Sequence, residues 1–318
     1  MPSPAEDALP MPVPDSRPAP EVWADPAVAA WIDRATGTVT VGDHRAVVWD
    51  LPARDHEAHV PLVIIHGFPT SSFDFAGVVD DLSRDRRVLL CDLVGYGASD
   101  KPDQRYTMAG GADVVAAMVA AAGIDRLALL THDMGDTVGG ELLARAAQGD
   151  WAVDVTRRVI TNGSIYIEMA NLTDGQRLLL DQGDEKAPAG PGAELLAISL
   201  ANTLAPASRD RVSMQGHAEL VAHGDGDALL PRLVRYIEER RSNQTRFTGA
   251  IEAHPSPLHV VWGALDPIAV VDMAHRLADT RRAASLPVTV DILGDLGHYP
   301  MVEDPVRFAA AVRAGLDA

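Results

Sequence analysis

The stretch Leu129-Leu130-Thr131-His132-Asp133-Met134-Gly135-Asp136 constrains the fold more than any other part of the chain. An apolar run breaks into a sharp His-Asp-x-Gly turn and resumes as a helical pattern from Thr137 to Ala147, so a buried strand must reverse into a helix within a few residues. A turn that tight is strained, and it leaves the side chain at its apex exposed beyond the strand end. Here that residue is Asp133. An Asp followed two residues later by Gly is equally the signature of an Asx turn or a helix cap, so the assignment depends on its surroundings.

Upstream, Val60 to Ile65 is an apolar run ending in His66-Gly67-Phe68-Pro69-Thr70-Ser71-Ser72, which reads as a buried strand entering a glycine-bearing loop. Downstream, Val260-Val261-Trp262-Gly263-Ala264-Leu265-Asp266-Pro267 is a second strand ending in a carboxylate. Val288 to Leu293 then leads to Gly294-Asp295-Leu296-Gly297-His298-Tyr299-Pro300. The chain order is therefore Asp133, Asp266, His298, each just past a strand end, which is the order of nucleophile, acid and histidine in an α/β-hydrolase triad.

These motifs, with Asp92-Leu93-Val94-Gly95-Tyr96-Gly97-Ala98-Ser99-Asp100-Lys101-Pro102, Tyr236-Ile237-Glu238-Glu239-Arg240-Arg241 and Arg246-Phe247-Thr248-Gly249-Ala250, resemble the epoxide hydrolase and haloalkane dehalogenase branch of the α/β-hydrolases. Within that branch the chain is most similar to the mesoderm-specific transcript group, over roughly residues 26 to 318. The resemblance implies a mostly parallel central sheet flanked by helices, with an inserted helical cap. It places a flexible N-terminal arm at 1–25, the core at 26–163 and 251–318, and the cap at 164–250.

A carboxylate at the elbow suits displacement at saturated carbon, leaving an alkyl ester on the enzyme, where serine would suit acyl transfer. On this reading Asp133 is the nucleophile, kept ionised with help from the helix N-terminus. His298 deprotonates the water that attacks the ester, and Asp266 orients the imidazole. The backbone N–H groups of Phe68 and Met134 are the oxyanion donors by analogy with the fold. Asp295 is the alternative acid, and Asn162 is a poorer one because an amide supplies no charge. His132 packs or hydrogen-bonds behind the elbow. Asp136 is read as a favourable charge in the first helical turn. Gly95 and Gly97 are turn glycines, since the fingerprints of a nucleotide-binding loop are missing.

The chain departs from haloalkane dehalogenases: Met134 follows Asp133 and Phe68 follows His66-Gly67, where such enzymes hold halide with a Trp and an Asn or second Trp. Epoxide hydrolysis to a diol is favoured instead, with Tyr236 first and Tyr166 second as cap donors to the epoxide oxygen. Either tyrosine is equally readable as a packed aromatic with a satisfied hydroxyl. A lactone or ester hydrolase on the same triad, a dehalogenase, and a non-catalytic binding protein of the same fold remain as alternatives. No metal or cofactor is expected.

The formal net charge of −18 repels nucleic acid and anionic membrane surfaces, and no apolar stretch is long enough to span a bilayer. The expected partners are a small apolar organic substrate and water, with the oligomeric state open, a homodimer included. Residues from Met1 to about Pro26 lack the charged and apolar regions of a signal peptide. Cys91 is the single cysteine and reads as a buried free thiol, which fits a reducing cytoplasm. A hairpin is expected from Thr36 to Trp49, strands at Arg87 to Cys91, Arg126 to Leu130, Arg158 to Thr161 and Leu258 to Trp262, and a helix at Asp113 to Ala122.

Overall fold

Eight strands form one sheet in the order β1-β2-β4-β3-β5-β6-β7-β8: β1 (Gly37–Val41), β2 (His44–Leu51), β3 (Leu62–Ile65), β4 (Val88–Cys91), β5 (Arg126–His132), β6 (Asp154–Thr161), β7 (Leu258–Gly263) and β8 (Val288–Leu293). The structure, a computed structural model, describes residues 22–317. The expected hairpin β1–β2 is antiparallel and adds to β4 antiparallel, and every other pairing is parallel. The uninterrupted apolar runs of β3 and β4 are buried at every position, as strands covered on both faces must be. The edge strand β8 is only partly buried.

Before the elbow come α1 (Pro26–Ile32), α2 (Val79–Leu82) and α3 (Met108–Ala121), and after it α4 (Met134–Gln148). α3 begins earlier than the expected Asp113 because the Thr107 hydroxyl caps it, accepting from the Gly110 N–H at 3.0 Å. Between β6 and β7 the chain makes α5 (Asp174–Asp181), α6 (Ala193–Ala201), α7 (Gln215–Ala222), α8 (Leu230–Leu233), α9 (Tyr236–Ser242) and α10 (Gln244–Ala253). α10 straddles the expected cap boundary at 250 and packs along α4. The remaining helices are α11 (Asp272–Ala283), α12 (Pro300–Glu303) and α13 (Pro305–Asp317).

The arm expected at 1–25 falls outside the described residues up to position 21. Beyond it, Ala24 and Asp25 donate their backbone N–H groups to Glu219 of α7 at 2.6 and 3.0 Å. β6 begins four residues before the expected Arg158. The early part is charged in sequence, yet Arg158 itself is buried, with its guanidinium spent on Ile251 O and Ser256 Oγ at 2.8 and 2.9 Å. Among the described residues no helix is long and apolar enough to cross a membrane.

Candidate active site

The turn between β5 and α4 consumes a single residue. β5 runs through His132 and α4 starts at Met134, leaving Asp133 between them at φ 50° and ψ −115°. A non-glycine residue held there costs about 1–3 kcal/mol. Neighbouring backbone fixes it: Asp133 N–H donates to Thr161 O at 3.3 Å, and Asp136 N–H donates to Asp133 O at 3.1 Å. Gly135 is required because a Cβ there would strike the carbonyl oxygens of Ile65 and His66. Gly67 is required for a similar reason, since its Cβ would stand 2.7 Å from that of Asp133. The close approach lets the Phe68 N–H donate to Asp133 Oδ2 at 3.0 Å. Asp133 Oδ1 has no hydrogen-bond partner among the described residues.

His66 shapes the loop that carries Phe68. Its Nδ1–H donates to Gly67 O at 2.9 Å, while Nε2 accepts from Leu93 N–H at 3.1 Å. That arrangement needs a neutral ring, and burial does lower the His66 pKa. Met134 is the first residue of α4 and is buried, with its sulfur taking the Tyr96 hydroxyl at 3.1 Å.

His298 Nδ1 lies 2.8 Å from Asp266 Oδ2. Asp266 Oδ1 accepts from the Ile268 and Ala269 N–H groups at 2.7 and 3.0 Å, so the carboxylate is clamped on both sides. Burial alone would lower the His298 pKa, but the charge of Asp266, its hydrogen bond and the charge of Asp133 outweigh that and raise it to about 9. The alternative acid Asp295 points elsewhere, paired with Arg307 at 2.8 Å.

Asn162, discounted above as an acid, has a different place. Its Nδ2 donates to the same Asp266 Oδ2 at 2.8 Å, and its Oδ1 accepts from Gly263 N–H at 3.0 Å. It orients the carboxylate without supplying charge. Its position directly after β6 was the available signal.

A cavity of about 660 Å³ lies between these groups and the helices inserted after β6. Asp133, His298, Phe68 and Tyr299 line it from the core side, and Gln176, Leu179, Leu196 and Leu230 from the inserted helices. That size is typical of a small-molecule site. Among the described residues, no tryptophan lines it and no group of three or more His, Cys, Asp or Glu is placed to hold a metal ion.

The two tyrosines expected as donors separate. Tyr166 does not line the cavity, and its hydroxyl donates to Glu252 at 2.7 Å while Arg276 covers its ring at 3.8 Å. Tyr236 is buried against Phe68, ring centroids 5.4 Å apart, and does not itself border the open volume. Burial and the charge of Asp133 push its hydroxyl pKa up, opposed by the nearby charge of Arg240. Gln176 Oε1 is occupied by the Thr173 N–H at 2.9 Å. Sequence reasoning missed Tyr299, which borders the cavity beside His298 and is likewise pushed up by burial and by the charges of Asp74 and Asp133.

Two further groups stand close to the elbow. Arg240, fully buried, donates to Thr137 Oγ1 and Ser164 O at 2.7 Å each, reaches Asp133 O at 3.5 Å, and lies 5.0 Å above the Tyr236 ring. It thereby ties α9 to the elbow. Asp136, in the first turn of α4, is buried, and desolvation, with the nearby charge of Asp133, raises its pKa well above the usual carboxylate range.

A family model described as the alpha/beta hydrolase fold matches residues 60–305. LipZ of Mycobacterium tuberculosis is 35% identical over 258 residues, covering 79% of this chain and 86% of that protein. The mesoderm-specific transcript protein of Mus musculus is 31% identical over 259 residues, covering 79% and 76%. Among solved structures, an alpha/beta hydrolase fold protein from Burkholderia ambifaria superposes with a TM-score of 0.70 at 23% identity, over 89% of this chain and 98% of that one. An enol-lactonase from Burkholderia xenovorans gives 0.69 at 18% identity, over 88% and 100%.

Proposed function

This chain belongs to the α/β-hydrolase family, and on that premise we propose that it is a hydrolase working through a covalent ester on Asp133, with an epoxide as substrate and a diol as product. One observation carries the reading: Asp133 Oδ2 already occupies the Phe68 N–H at 3.0 Å. In an acyl-transfer enzyme such a donor awaits the substrate oxygen. Here it holds an oxygen of the nucleophile itself, leaving Oδ1 to attack a ring carbon.

The bond from that carbon to the epoxide oxygen breaks as the ester forms, and the alkoxide takes a proton from a tyrosine. Tyr299 fits this role from the cavity wall, with Tyr236 behind it against Phe68, because raised pKa values keep both hydroxyls protonated and a protonated phenol can supply what the alkoxide needs. Ester formation removes the charge of Asp133, one of the contributions that hold a proton on His298. The imidazole pKa falls, and His298 gives up its proton to the tyrosinate left by ring opening, which restores the phenol and leaves a neutral ring able to deprotonate water. That water attacks the Asp133 carbonyl carbon, the developing oxyanion is Oδ2 at Phe68 with the Met134 N–H as second donor, and the diol leaves with an oxygen from Asp133.

His298→Gln, given a turnover-competent epoxide, is expected to gain the mass of the whole epoxide on the peptide carrying Asp133. In ¹⁸O-water, a single wild-type turnover is expected to label Asp133 before product. Label passing directly into the diol, with no adduct on the variant, would mean that water attacks the substrate and Asp133 acts as a base. Release of halide from simple haloalkanes would favour dehalogenation, which no cavity-lining tryptophan supports.

A further inference from the structure

α6 has the sequence AELLAISLA, with Glu194 its single charged residue. A helix so apolar on every side is ordinarily covered. Leu196 and Leu200 are buried, but Leu195 and Ile198 are 54% and 56% exposed on the outer side. On α5, Leu178 is 62% exposed. Leu178 and Leu195 also line the cavity that holds Asp133 and His298. Because both leucines belong to the cavity wall and to the outer surface, the cavity opens between α5 and α6 through a slot with apolar lips.

Acidic groups dominate the charge of the wall. Asp133, Asp174 and Asp227 line it, and no arginine or lysine does among the described residues; the His298 imidazole that also lines it is already paired with Asp266 at 2.8 Å. A carboxylate or phosphate on the substrate would meet like charge in a partly desolvated space with no unpaired cation, which is costly.

We infer that the slot between α5 and α6 is a tail site, and that the substrate is an uncharged molecule bearing a long aliphatic chain that runs from Asp133 out between Leu178 and Leu195. The inference rests on the hydrolase reading of the same cavity and narrows it to a substrate class. The occupant follows from continuity: the exposed leucines are the outer end of the cavity wall, so a chain lying in the cavity covers them as it leaves.

The test uses ligands that no hydrolase consumes, so it stands apart from the adduct experiment. Binding of the primary alcohols from butanol to decanol, and of decanoate, is measured by calorimetry on the full chain. Affinity is expected to rise about fourfold per methylene for carbons inside the slot, and decanoate is expected to bind at least tenfold more weakly than decanol. Leu178→Asp and Leu195→Asp, at exposed positions where folding is not at stake, are expected to weaken decanol about tenfold and leave butanol within about twofold. Val306→Asp, remote on α13 and 73% exposed, controls for loss of any surface leucine or valine and is expected to match wild type. The proposal is overturned by an affinity that stays flat with chain length, by decanoate binding as well as decanol, or by lip variants that titrate like wild type. A lip variant that changes the oligomeric state without changing decanol affinity also overturns it, in favour of a contact between copies.

Discussion

His132 Nε2 donates to the backbone carbonyl of His298 at 2.9 Å, so the residue preceding the elbow is fastened to the residue carrying the candidate base. The bond requires a proton on Nε2, and Nδ1 is left buried without a partner. Burial accordingly holds the His132 pKa well below its ordinary value, with the neighbouring His298 adding to the effect. His132→Phe keeps a ring in place but strands the His298 carbonyl. The expected loss is about 1–3 kcal/mol of stability in urea unfolding, with a roughly tenfold fall in kcat at nearly constant KM. Unchanged kcat would mean the elbow and the base are positioned independently.

His298 titration gives a second prediction. In the resting protein its ring is expected to lose its proton near pH 9, read from imidazole NMR shifts. Asp133→Asn removes one of the charges holding that proton, and Asp266→Asn removes a larger one, so both lower the midpoint and Asp266→Asn lowers it more. A midpoint unmoved by Asp133→Asn would remove the electrostatic switch from the proposed mechanism.

For the tyrosines, Tyr299→Phe is expected to slow epoxide opening by roughly 10²–10⁴, the usual worth of a general acid, and Tyr236→Phe by less, because Tyr236 does not border the open volume. Tyr166→Phe is expected to stay within about twofold, because its hydroxyl serves Glu252. Should neither Tyr236→Phe nor Tyr299→Phe lose activity on any epoxide, the substrate assignment fails and the broader hydrolase reading stands.

Acid stability supplies the last prediction. His217 on α7 is buried, its Nε2 lies 3.6 Å from Asp74 Oδ1, and neither ring nitrogen has a hydrogen bond. Burial lowers its pKa to about 4, whereas the unfolded chain takes up the proton near 6.5. Below pH 6.5 the unfolded state therefore binds the extra proton, and stability is lost as pH falls from about 6.5 to about 4, by up to about 3 kcal/mol. Asp74 and Asp136, both raised by burial, push the other way, so the informative quantity is a difference. Wild type is expected to lose more stability between pH 7 and pH 5 than His217→Gln does, measured by urea midpoints. Equal losses would place the protonated ring at ease inside the fold.

Much of the sheet and the elbow was legible because each informative residue stands directly after an apolar run. Asp133, Asp266 and His298 follow β5, β7 and β8; burial of β5 and β7 dictates where their runs stop, and the partly buried β8 is marked by its alternating Val288, Val290 and Ile292. The inserted helices were less legible. Their polar side chains are placed by contacts across long stretches of chain, such as Gln176 with Tyr236 and Tyr166 with Glu252. No local pattern tells a tyrosine facing Asp133 from one facing Glu252. Tyr299 was readable in principle, since it adjoins His298, but nothing in its local sequence tells a wall residue from a packed aromatic. Arg240 lay inside a motif already noted, and only its burial reveals that it braces the elbow.

The hydrogen bond from Asn162 to Asp266 joins the residue where the chain leaves the sheet to a residue just after its return. With β6 and β7 paired side by side in parallel, it ties their C-terminal ends together, while the inserted chain re-enters the sheet at the opposite end of β7. The insertion meets the same strand ends from its own side: Thr203 O accepts from the His298 N–H at 3.1 Å, and the Asn171 N–H donates to Ile268 O at 3.0 Å. Substrate preference can therefore drift by remodelling the inserted helices while the reacting groups stay where they are, provided the remodelling keeps these two backbone contacts.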